Sequence, residues 1–308
     1  MNNLIDLHVH TSASDGVLTP AELVANAKKE GIKALGICDH DTVSGLDEAV
    51  TVGNSEGIEV IPGIELSTLH GSLDLHILGY FIDYHNEAFL KELEYLAEKR
   101  TERALKIVRK LQDIGFFLDE KALQKKSVNT TIGKPHIVLA LLDEEKNKSR
   151  LKKEFGDCIT VGNVIHAYLN YGKPAYVPKV KLAVADAITN IHKIGGLAVL
   201  AHPGFDIEMT RDGEAIIESF LPLGLDGVEV MSYIETDDKT KHCLAFFSDI
   251  ADRFQLLKTG GSDYHGYKNC AAAEIGVEMG FVGTPFSVPN EYLSALRKRH
   301  EEFCQEQS

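Results

Sequence analysis

Asp6-Leu7-His8-Val9-His10 places two histidines on either side of one apolar residue, within a run that is typical of a strand. Side chains alternate faces along a strand, so His8 and His10 point in the same direction. Neutral imidazole is a good ligand for zinc, iron and similar ions, and two imidazoles at a strand end indicate a metal site. Same-face histidines are uncommon in a protein core, which favours a ligand role for this pair.

Residues of metal-ligand type recur further along the chain. Asp263 and His265 repeat the spacing of the first pair, after a Gly260-Gly261 turn that allows close backbone approach. Three of these residues also have a simpler interpretation. Asp15 could serve in a turn or as a helix cap, His40 could be an ordinary loop histidine, and His76 could be a hydrogen-bonded histidine of the core. The density of such residues is nevertheless what a multinuclear metal hydrolase requires. The candidate metal ligands are His8, His10, Asp15, His40, Glu65, His76, His202, Asp263 and His265.

Composition and charge exclude several classes of partner. The formal net charge of −14 argues against stable binding to duplex nucleic acid, which needs a basic surface. A small phosphorylated ligand stays possible, because bound metals would reverse the local field. No apolar run is long enough to span a membrane, and the five cysteines show no CxxC spacing. With no basic region before the first strand, we expect a cytoplasmic protein with free thiols and no membrane association.

Alternating strands and helices predict an α/β fold whose candidate ligands lie at strand ends, where α/β barrels place their active sites. Thr19-Pro20-Ala21-Glu22 has the cap, first-turn proline and glutamate that begin a helix. Glu65 is predicted to end a hydrophobic strand, where an unpaired carboxylate would be costly, so a nearby cation is expected. Strands are predicted at residues 4–10, 32–38, 58–61, 73–82, 197–201, 227–231, 256–258 and 276–277, and helices at 46–55 and 182–194.

Between residues 85 and 178 the apolar residues recur at helical spacing, and the alternation of strands and helices stops. We therefore predict a helical insertion at 85–178 within a domain formed by residues 1–84 and 179–308. Arg100 and Arg103 fall on the apolar side of a long predicted helix, and a charge on a buried face needs a partner. One interpretation is that these guanidiniums hold a substrate phosphate; the other is that they snorkel or pair with Glu or Asp of a neighbouring helix.

The combined motifs resemble the polymerase-and-histidinol-phosphatase (PHP) family of metal-dependent phosphoesterases. Within that family, an aspartate as the third N-terminal ligand and a helical insertion resemble the branch of nucleoside 3′,5′-bisphosphate phosphatases and 5′-3′ exoribonucleases. The motifs that carry the resemblance are His8-Val9-His10, Asp15, Asp39-His40-Asp41, Pro62-Gly63-Ile64-Glu65, His76, Ala201-His202-Pro203 and Ser262-Asp263-Tyr264-His265.

The resemblance implies a distorted (β/α)7 barrel that holds divalent metals, up to three, drawn from manganese, iron and zinc. Asp15 in the third site favours manganese, iron or magnesium there over zinc. The attacking group would be a metal-bound hydroxide, and Asp263 is the candidate catalytic residue for moving the proton. The implied ligand sets are His8, His10, Glu65 and Asp263 for the first metal, Glu65, His76 and His202 for the second, and Asp15, His40 and His265 for the third.

The expected substrate is a phosphorylated small molecule, namely a nucleotide such as a 3′,5′-bisphosphate, or the 5′ end of a short RNA. The resemblance implies that insertion residues bind its second phosphate. Lys134-Pro135-His136 resembles a phosphate-contacting motif of that branch in which arginine is the usual first residue. The candidate substrate-binding residues are Arg100, Arg103, Lys134 and His136.

Two other functions stay open from the sequence. One is a small-metabolite phosphatase such as a histidinol-phosphate phosphatase, which would share the metals but not the use of the insertion. The other is an amidohydrolase-type enzyme that cleaves C–N bonds, since such barrels also begin with an HxH motif. Glu65 and the Asp39-His40-Asp41 motif count against the amidohydrolase, because that class does not need them in those places.

Overall fold

The structure is a computed structural model, and it describes residues 4–120, 132–157, 159–232, 237–266 and 287–307. The short strand predicted at residues 276–277 lies outside these ranges. Within them, no helix has both the length and the apolar character needed to cross a membrane.

Eight strands and ten principal helices account for most of the described chain. The strands are β1 (Leu4–Val9), β2 (Ile32–Ile37), β3 (Glu59–His70), β4 (Leu73–Tyr80), β5 (Leu182–Ala183), β6 (Leu197–Leu200), β7 (Gly227–Met231) and β8 (Leu257–Gly260). The helices are α1 (Pro20–Lys29), α2 (Leu46–Glu56), α3 (Glu87–Asp113), α4 (Lys134–Asp143), α5 (Glu145–Phe155), α6 (Val161–Val164, continued by a π-turn at Ile165–Leu169), α7 (Val184–Lys193), α8 (Arg211–Glu218), α9 (Asp237–Phe254) and α10 (Asn290–Gln307).

The strands form one sheet in the order β1-β2-β3-β4-β6-β7-β8, with β5 beside β3. Most neighbours are parallel, whereas β4 is antiparallel to both β3 and β6. This confirms an α/β fold with a parallel-rich sheet. The chain after β8 also returns to β1: Asp263 N–H donates to His8 O and His10 N–H donates to Tyr264 O, both at 2.9 Å. These bonds bring the first and last strands together, as the predicted barrel requires.

Local sequence signals explain where several elements begin. Thr19 caps α1, with its side chain accepting from the Glu22 N–H while the Glu22 carboxylate accepts from the Thr19 N–H. The strands β1, β2, β4, β6, β7 and β8 lie within two residues of their predicted bounds at each end.

Two predicted elements were wrong in extent. Glu65 does not end its strand but lies in the middle of β3, because β3 pairs antiparallel with β4 over eight positions, from Gly63↔Tyr80 to His70↔Leu73. The helix predicted from residue 182 begins at Val184 instead, since Leu182 and Ala183 pair with Thr68 and Leu69 of β3.

Two hydrophobic cores lie along α3. The first half of this helix contributes Phe89, Leu93 and Leu96 to the core that surrounds the sheet. Its second half contributes Ala104, Ile107, Val108 and Leu111 to a separate core, shared with α4 to α6. The helical character predicted for this region is therefore confirmed, whereas the domain boundaries at residues 84 and 179 stay a prediction.

Candidate metal centre

The candidate ligands come from different strands and meet around one buried carboxylate. His8 lies in β1, Glu65 in β3 and His76 in β4, while His40 and His202 follow β2 and β6. The sheet order places these strands side by side, and the link from β8 back to β1 brings Asp263 and His265 to the same point. All nine candidate metal ligands lie within the described chain, and each approaches at least one other.

A first group of donor atoms consists of His8 Nε2, His10 Nε2, Glu65 Oε2 and Asp263 Oδ1. His10 Nε2 lies 3.1 Å from His8 Nε2 and 2.9 Å from Asp263 Oδ1. Glu65 Oε2 lies 3.5 Å from His8 Nε2 and 3.4 Å from His10 Nε2. All four atoms lie within 4.8 Å of one another, so one cation could contact them together. This is the set that the resemblance implied for the first metal.

The other oxygen of Glu65 faces a second group. Glu65 Oε1 lies 2.9 Å from His76 Nδ1 and 2.9 Å from His202 Nε2, and the two histidine nitrogens are 3.4 Å apart. His40 also approaches this carboxylate, with its Nδ1 2.8 Å from Glu65 Oε2. Glu65 therefore has the geometry of a bridge, with one oxygen towards each group.

A third group surrounds Asp15. Its carboxylate oxygens lie 3.3 Å from His265 Nε2, 3.9 Å from His40 Nε2 and 3.9 Å from His10 Nδ1. His10, which was expected only at the first site, thus presents one ring nitrogen to each of two groups. The rings of His10 and His265 stack with centroids 4.2 Å apart.

These side chains fit divalent cations in both number and chemistry. His10 Nδ1 and His202 Nδ1 are buried and have no hydrogen-bond partner among the described residues, and the buried His40 Nδ1 and Glu65 Oε2 face each other at 2.8 Å without forming a well-directed hydrogen bond. Buried polar atoms without a partner are costly, and carboxylate and imidazole groups that converge in this way are satisfied by a cation. The arrangement supports metal binding.

The ionisation of the cluster reflects the same concentration of charge. Burial acts to raise the pKa of Glu65, but His40, His76 and His8 outweigh it and hold that pKa well below its ordinary value. Burial acts to lower the pKa of His202, yet Glu65 raises it to about 9. Asp263 behaves like Glu65: burial opposes ionisation, and His265 and His10 keep its pKa well below the usual range. The carboxylates are therefore ionised at neutral pH and attract cations.

A ring of further buried carboxylates orients the ligands. Asp39 accepts from Thr11 N–H at 2.8 Å, Thr11 Oγ1 at 2.7 Å and Ser14 Oγ at 2.5 Å, which fixes the loop before Asp15. Asp6 accepts from Ser262 N–H at 2.9 Å and from Ser262 Oγ at 2.5 Å, next to Asp263. Glu229 contacts His8 Nδ1 at 3.1 Å.

Asp6 and Glu229 were not identified from the sequence. The signal was present in Gly227-Val228-Glu229-Val230-Met231, because a carboxylate within a wholly apolar strand needs a partner, which is the argument applied to Glu65.

Three of the five non-glycine residues with positive φ in the described chain lie at the same place, the others being Phe81 and Gln255. Asp41, His202 and Asp263 are non-glycine residues with positive φ, of 50°, 22° and 53°. Such conformations cost about 1–3 kcal/mol each and persist where the surrounding structure imposes them. Each of these residues is, or directly follows, a candidate ligand.

A cavity of about 320 Å³ opens beside the metal cluster. Asp15, His40 and His76 line both the cavity and the cluster, so the two are continuous. Five basic residues also line the cavity, together with Asp74, and its volume lies within the size range of small-molecule sites. The basic residues that line it are Arg100, Arg103, Lys134, Lys179 and Lys181.

Comparisons with known proteins agree with this geometry. The PHP domain matches residues 6–155. A 5′-3′ exoribonuclease of Haemophilus influenzae is 32% identical over 294 residues, covering 94% of this chain and 98% of that protein. A 3′,5′-nucleoside bisphosphate phosphatase of Chromobacterium violaceum is 33% identical over 264 residues, covering 85% of this chain and 87% of that protein.

The chain belongs to the PHP family. A solved structure from Bifidobacterium adolescentis, described as a metal-dependent phosphoesterase, superposes with a TM-score of 0.78 at 25% identity and covers 97% of each chain. The family resemblance drawn from the motifs is thereby confirmed, and the protein is a PHP-family metal-dependent phosphoesterase.

The basic residues of this PHP protein differ in how they are held. Arg100 is 8% exposed and forms an ion pair with Asp41, which lies in the loop after β2 rather than on a neighbouring helix. Arg103 donates its Nε–H to Val177 O at 2.8 Å, and Lys134 Nζ donates to Asn170 Oδ1 at 2.9 Å. His136 caps its own helix by accepting from Gly133 N–H at 3.0 Å.

Two further basic residues of the cavity, Lys179 and Lys181, were not identified from the sequence. Lys179 Nζ lies 3.2 Å from Asp41 Oδ2, and Lys181 Nζ lies 2.6 Å from Asp74 Oδ1. They belong to residues 176–181, which contain no metal-ligand motif and no helical or strand period that would mark them as part of the site.

Proposed function

We propose that this phosphoesterase removes phosphate from a nucleotide that carries a second phosphate, either a nucleoside 3′,5′-bisphosphate or the phosphorylated 5′ end of a short RNA. The observation that carries the proposal is the basic cavity that adjoins the candidate metal cluster. One phosphate at the cluster and another against the basic residues of the cavity would use both halves of the site.

Arg103 and Lys134 are the residues we assign to the second phosphate. Among the described residues, neither forms an ion pair, in contrast to Arg100, Lys179 and Lys181. Burial and the neighbouring Arg103 lower the pKa of Lys134 to about 8, which indicates positive charge without a counter-ion. A phosphate would supply that counter-ion through charge-assisted hydrogen bonds. His136, at the first turn of the same helix, stays a candidate contact.

We infer three divalent ions, one for each group of donor atoms. The three sets are His8, His10, Glu65 and Asp263, then Glu65, His76 and His202, then Asp15, His40 and His265. Such ions, when bound, supply an activated water and stabilise charge on the phosphoryl oxygens. The chain itself orients the substrate through the basic residues of the cavity and excludes bulk water with the buried strands. Asp263, whose carboxylate faces the first group of donor atoms, stays our candidate for moving the proton of the attacking water.

The test is phosphate release from a panel of substrates by manganese-loaded protein. The panel contains adenosine 3′,5′-bisphosphate, adenosine 5′-monophosphate, a short 5′-phosphorylated RNA and histidinol phosphate. We expect preference for the bisphosphate or the RNA, and no activity in the double variant His8→Ala/His10→Ala. Release from histidinol phosphate alone would indicate the metabolite phosphatase, and no release from any phosphate ester would contradict the proposal.

Arg103→Met tests the second-phosphate assignment. A hydrogen bond to a charged group contributes about 1.5–3 kcal/mol, so KM for the bisphosphate should rise about 10-fold or more. The monophosphate lacks the second phosphate, so its KM should change much less. Arg109→Met is the matched control, because Arg109 lies on the same helix with its side chain 64% exposed.

A further inference from the structure

Asp41 holds a buried junction of opposite charges directly after the candidate ligand His40. Its Oδ1 accepts from Ser67 N–H at 2.7 Å, while its Oδ2 forms an ion pair with Arg100 and lies 3.2 Å from Lys179 Nζ. The Asp41 side chain is 5% exposed and that of Arg100 is 8% exposed. Desolvation makes such a junction a poor source of stability.

The two cations reach Asp41 from opposite ends of the helical region. Arg100 belongs to α3, by which the chain enters that region, and Lys179 lies where it returns to the sheet. A single carboxylate therefore joins both connections between the helical region and the sheet.

The same residues also hold the candidate ligands. Arg100 Nη1–H donates to the backbone carbonyl of His40 at 3.3 Å, and Lys179 Nζ donates to Ser67 Oγ at 2.5 Å. Ser67 lies two residues after Glu65 on β3. Asp41 N–H donates to Glu65 O at 2.9 Å, which ties the His40 loop to that strand. The positive φ of Asp41 shows that its backbone is constrained at this point.

We propose that Asp41 is a positioning residue for the phosphoesterase reaction: together with Arg100 and Lys179, it fixes His40 against Glu65. The inference rests on the proposed ligand role of His40. Under this proposal the helical region has a second role besides substrate binding, because residues at its two ends fix the positions of the candidate metal ligands. The proposal also explains why Arg100, on the buried side of α3, pairs with an acidic residue of the loop after β2.

The principal test compares Asp41→Asn with Asp249→Asn. The amide keeps the shape of Asp41 and an oxygen for Ser67 N–H but removes the charge that binds Arg100 and Lys179. Asp249 forms an exposed pair with Arg253, so its substitution breaks an aspartate–arginine pair away from the site. We expect Asp41→Asn to lower kcat and Mn²⁺ affinity by about 10-fold or more, as for other residues that orient ligands. KM for the substrate should change by less than about 3-fold.

A double variant and a conservative variant separate positioning from a general loss of structure. Asp41→Asn/Arg100→Gln should be no worse than the more damaging single variant, because both changes break one junction. Arg100→Lys keeps the charge but loses the forked contact with Asp41 and His40 O, so it should retain intermediate kcat. Circular dichroism confirms the fold, and Lys179→Met replaces Asp41→Asn if that variant does not fold.

Wild-type kcat and Mn²⁺ affinity in Asp41→Asn would overturn the proposal. A change in KM alone would also overturn it, because it would place Arg100 and Lys179 with the substrate. If the proposed substrate class is wrong, the wild-type panel reveals it, whereas calorimetric titration with Mn²⁺ tests Asp41 independently of any substrate.

Discussion

His8 Nδ1 lies 3.1 Å from Glu229 Oε1, and both side chains are fully buried. The other oxygen of this carboxylate accepts from His202 N–H at 2.8 Å. Burial acts to lower the pKa of His8, but Glu229 and Glu65 together outweigh it and hold that pKa well above its ordinary value. Histidines that bind metals usually donate their second ring N–H to such a carboxylate, which leaves the other nitrogen free for the ion. Glu229 therefore determines which nitrogen His8 offers to the cluster.

Glu229→Gln should weaken the metal centre without unfolding the protein. The amide fills the same space but no longer stabilises the His8 tautomer that leaves Nε2 as an acceptor. Loss of such an orienting partner typically costs 10–100-fold in metal affinity or activity, and we expect about that range here. Calorimetric titration with Mn²⁺ and measurement of kcat check the result. The exposed Glu218→Gln serves as control, and equal effects in both variants would contradict this role.

Gly261→Ala should disturb the same centre through the backbone. A methyl group at Gly261 would lie 2.3 Å from His8 Cβ and 2.5 Å from His8 N, so β1 would have to move. Overpacking of this kind costs about 1–3 kcal/mol. We expect a matching fall in the free energy of unfolding by urea, together with weaker Mn²⁺ binding. Gly162→Ala should change neither, because its nearest neighbour would be Thr160 Oγ1 at 3.8 Å.

The candidate ligands could be predicted because their signal is local. His8 and His10, like Asp263 and His265, have a spacing that makes sense only if both side chains face one object. Glu229 has a signal of the same kind, a carboxylate in an apolar strand, and could have been found by the argument used for Glu65. The contact between His8 and Glu229 joins residues far apart in the sequence, so the pairing itself needed the fold.

The strand boundaries show where local reasoning stops. The sequence predicts a strand at residues 58–61, whereas β3 continues to His70 because β4 supplies partners for each further position. Strand length depends on the neighbouring strand as much as on the residues themselves. Leu182 and Ala183 continue the apolar pattern of a helix, yet they pair with β3 because the chain returns to the sheet there.

Arg100 illustrates a different limit. Its place on the buried side of a helix correctly indicated that it needs a partner. The sequence could not show whether that partner is a substrate phosphate or Asp41. The answer depends on how α3 packs against the loop after β2, which is a property of the fold. Lys179 had no helical or strand pattern to draw attention to it.

Leu111→Ala tests the prediction that residues 85–178 form a separate unit. Leu111 is fully buried in the second core, and such truncations cost about 2–5 kcal/mol. If the helical region unfolds as its own unit, one urea transition should move while a second, from the sheet domain, stays in place. Leu139→Ala is the matched control, because Leu139 is 40% exposed on α4. A single transition that shifts as a whole would contradict the division.

The depressed pKa of Lys134 predicts how substrate affinity depends on pH. Burial and Arg103 lower that pKa from 10.5 to about 8, so Lys134 is cationic below this pH and neutral above it. Only the cationic form of Lys134 binds phosphate well, and kcat/KM reports the ionisation of the free enzyme. We therefore expect kcat/KM for the bisphosphate to fall above pH 8 and to be about 10-fold lower at pH 9. The monophosphate, assayed at each pH, corrects for ionisation at the metal centre. Lys134→Arg stays charged and should remove the additional fall. If Lys134→Arg shows the same fall as the wild type, Lys134 does not bind the second phosphate through its charge.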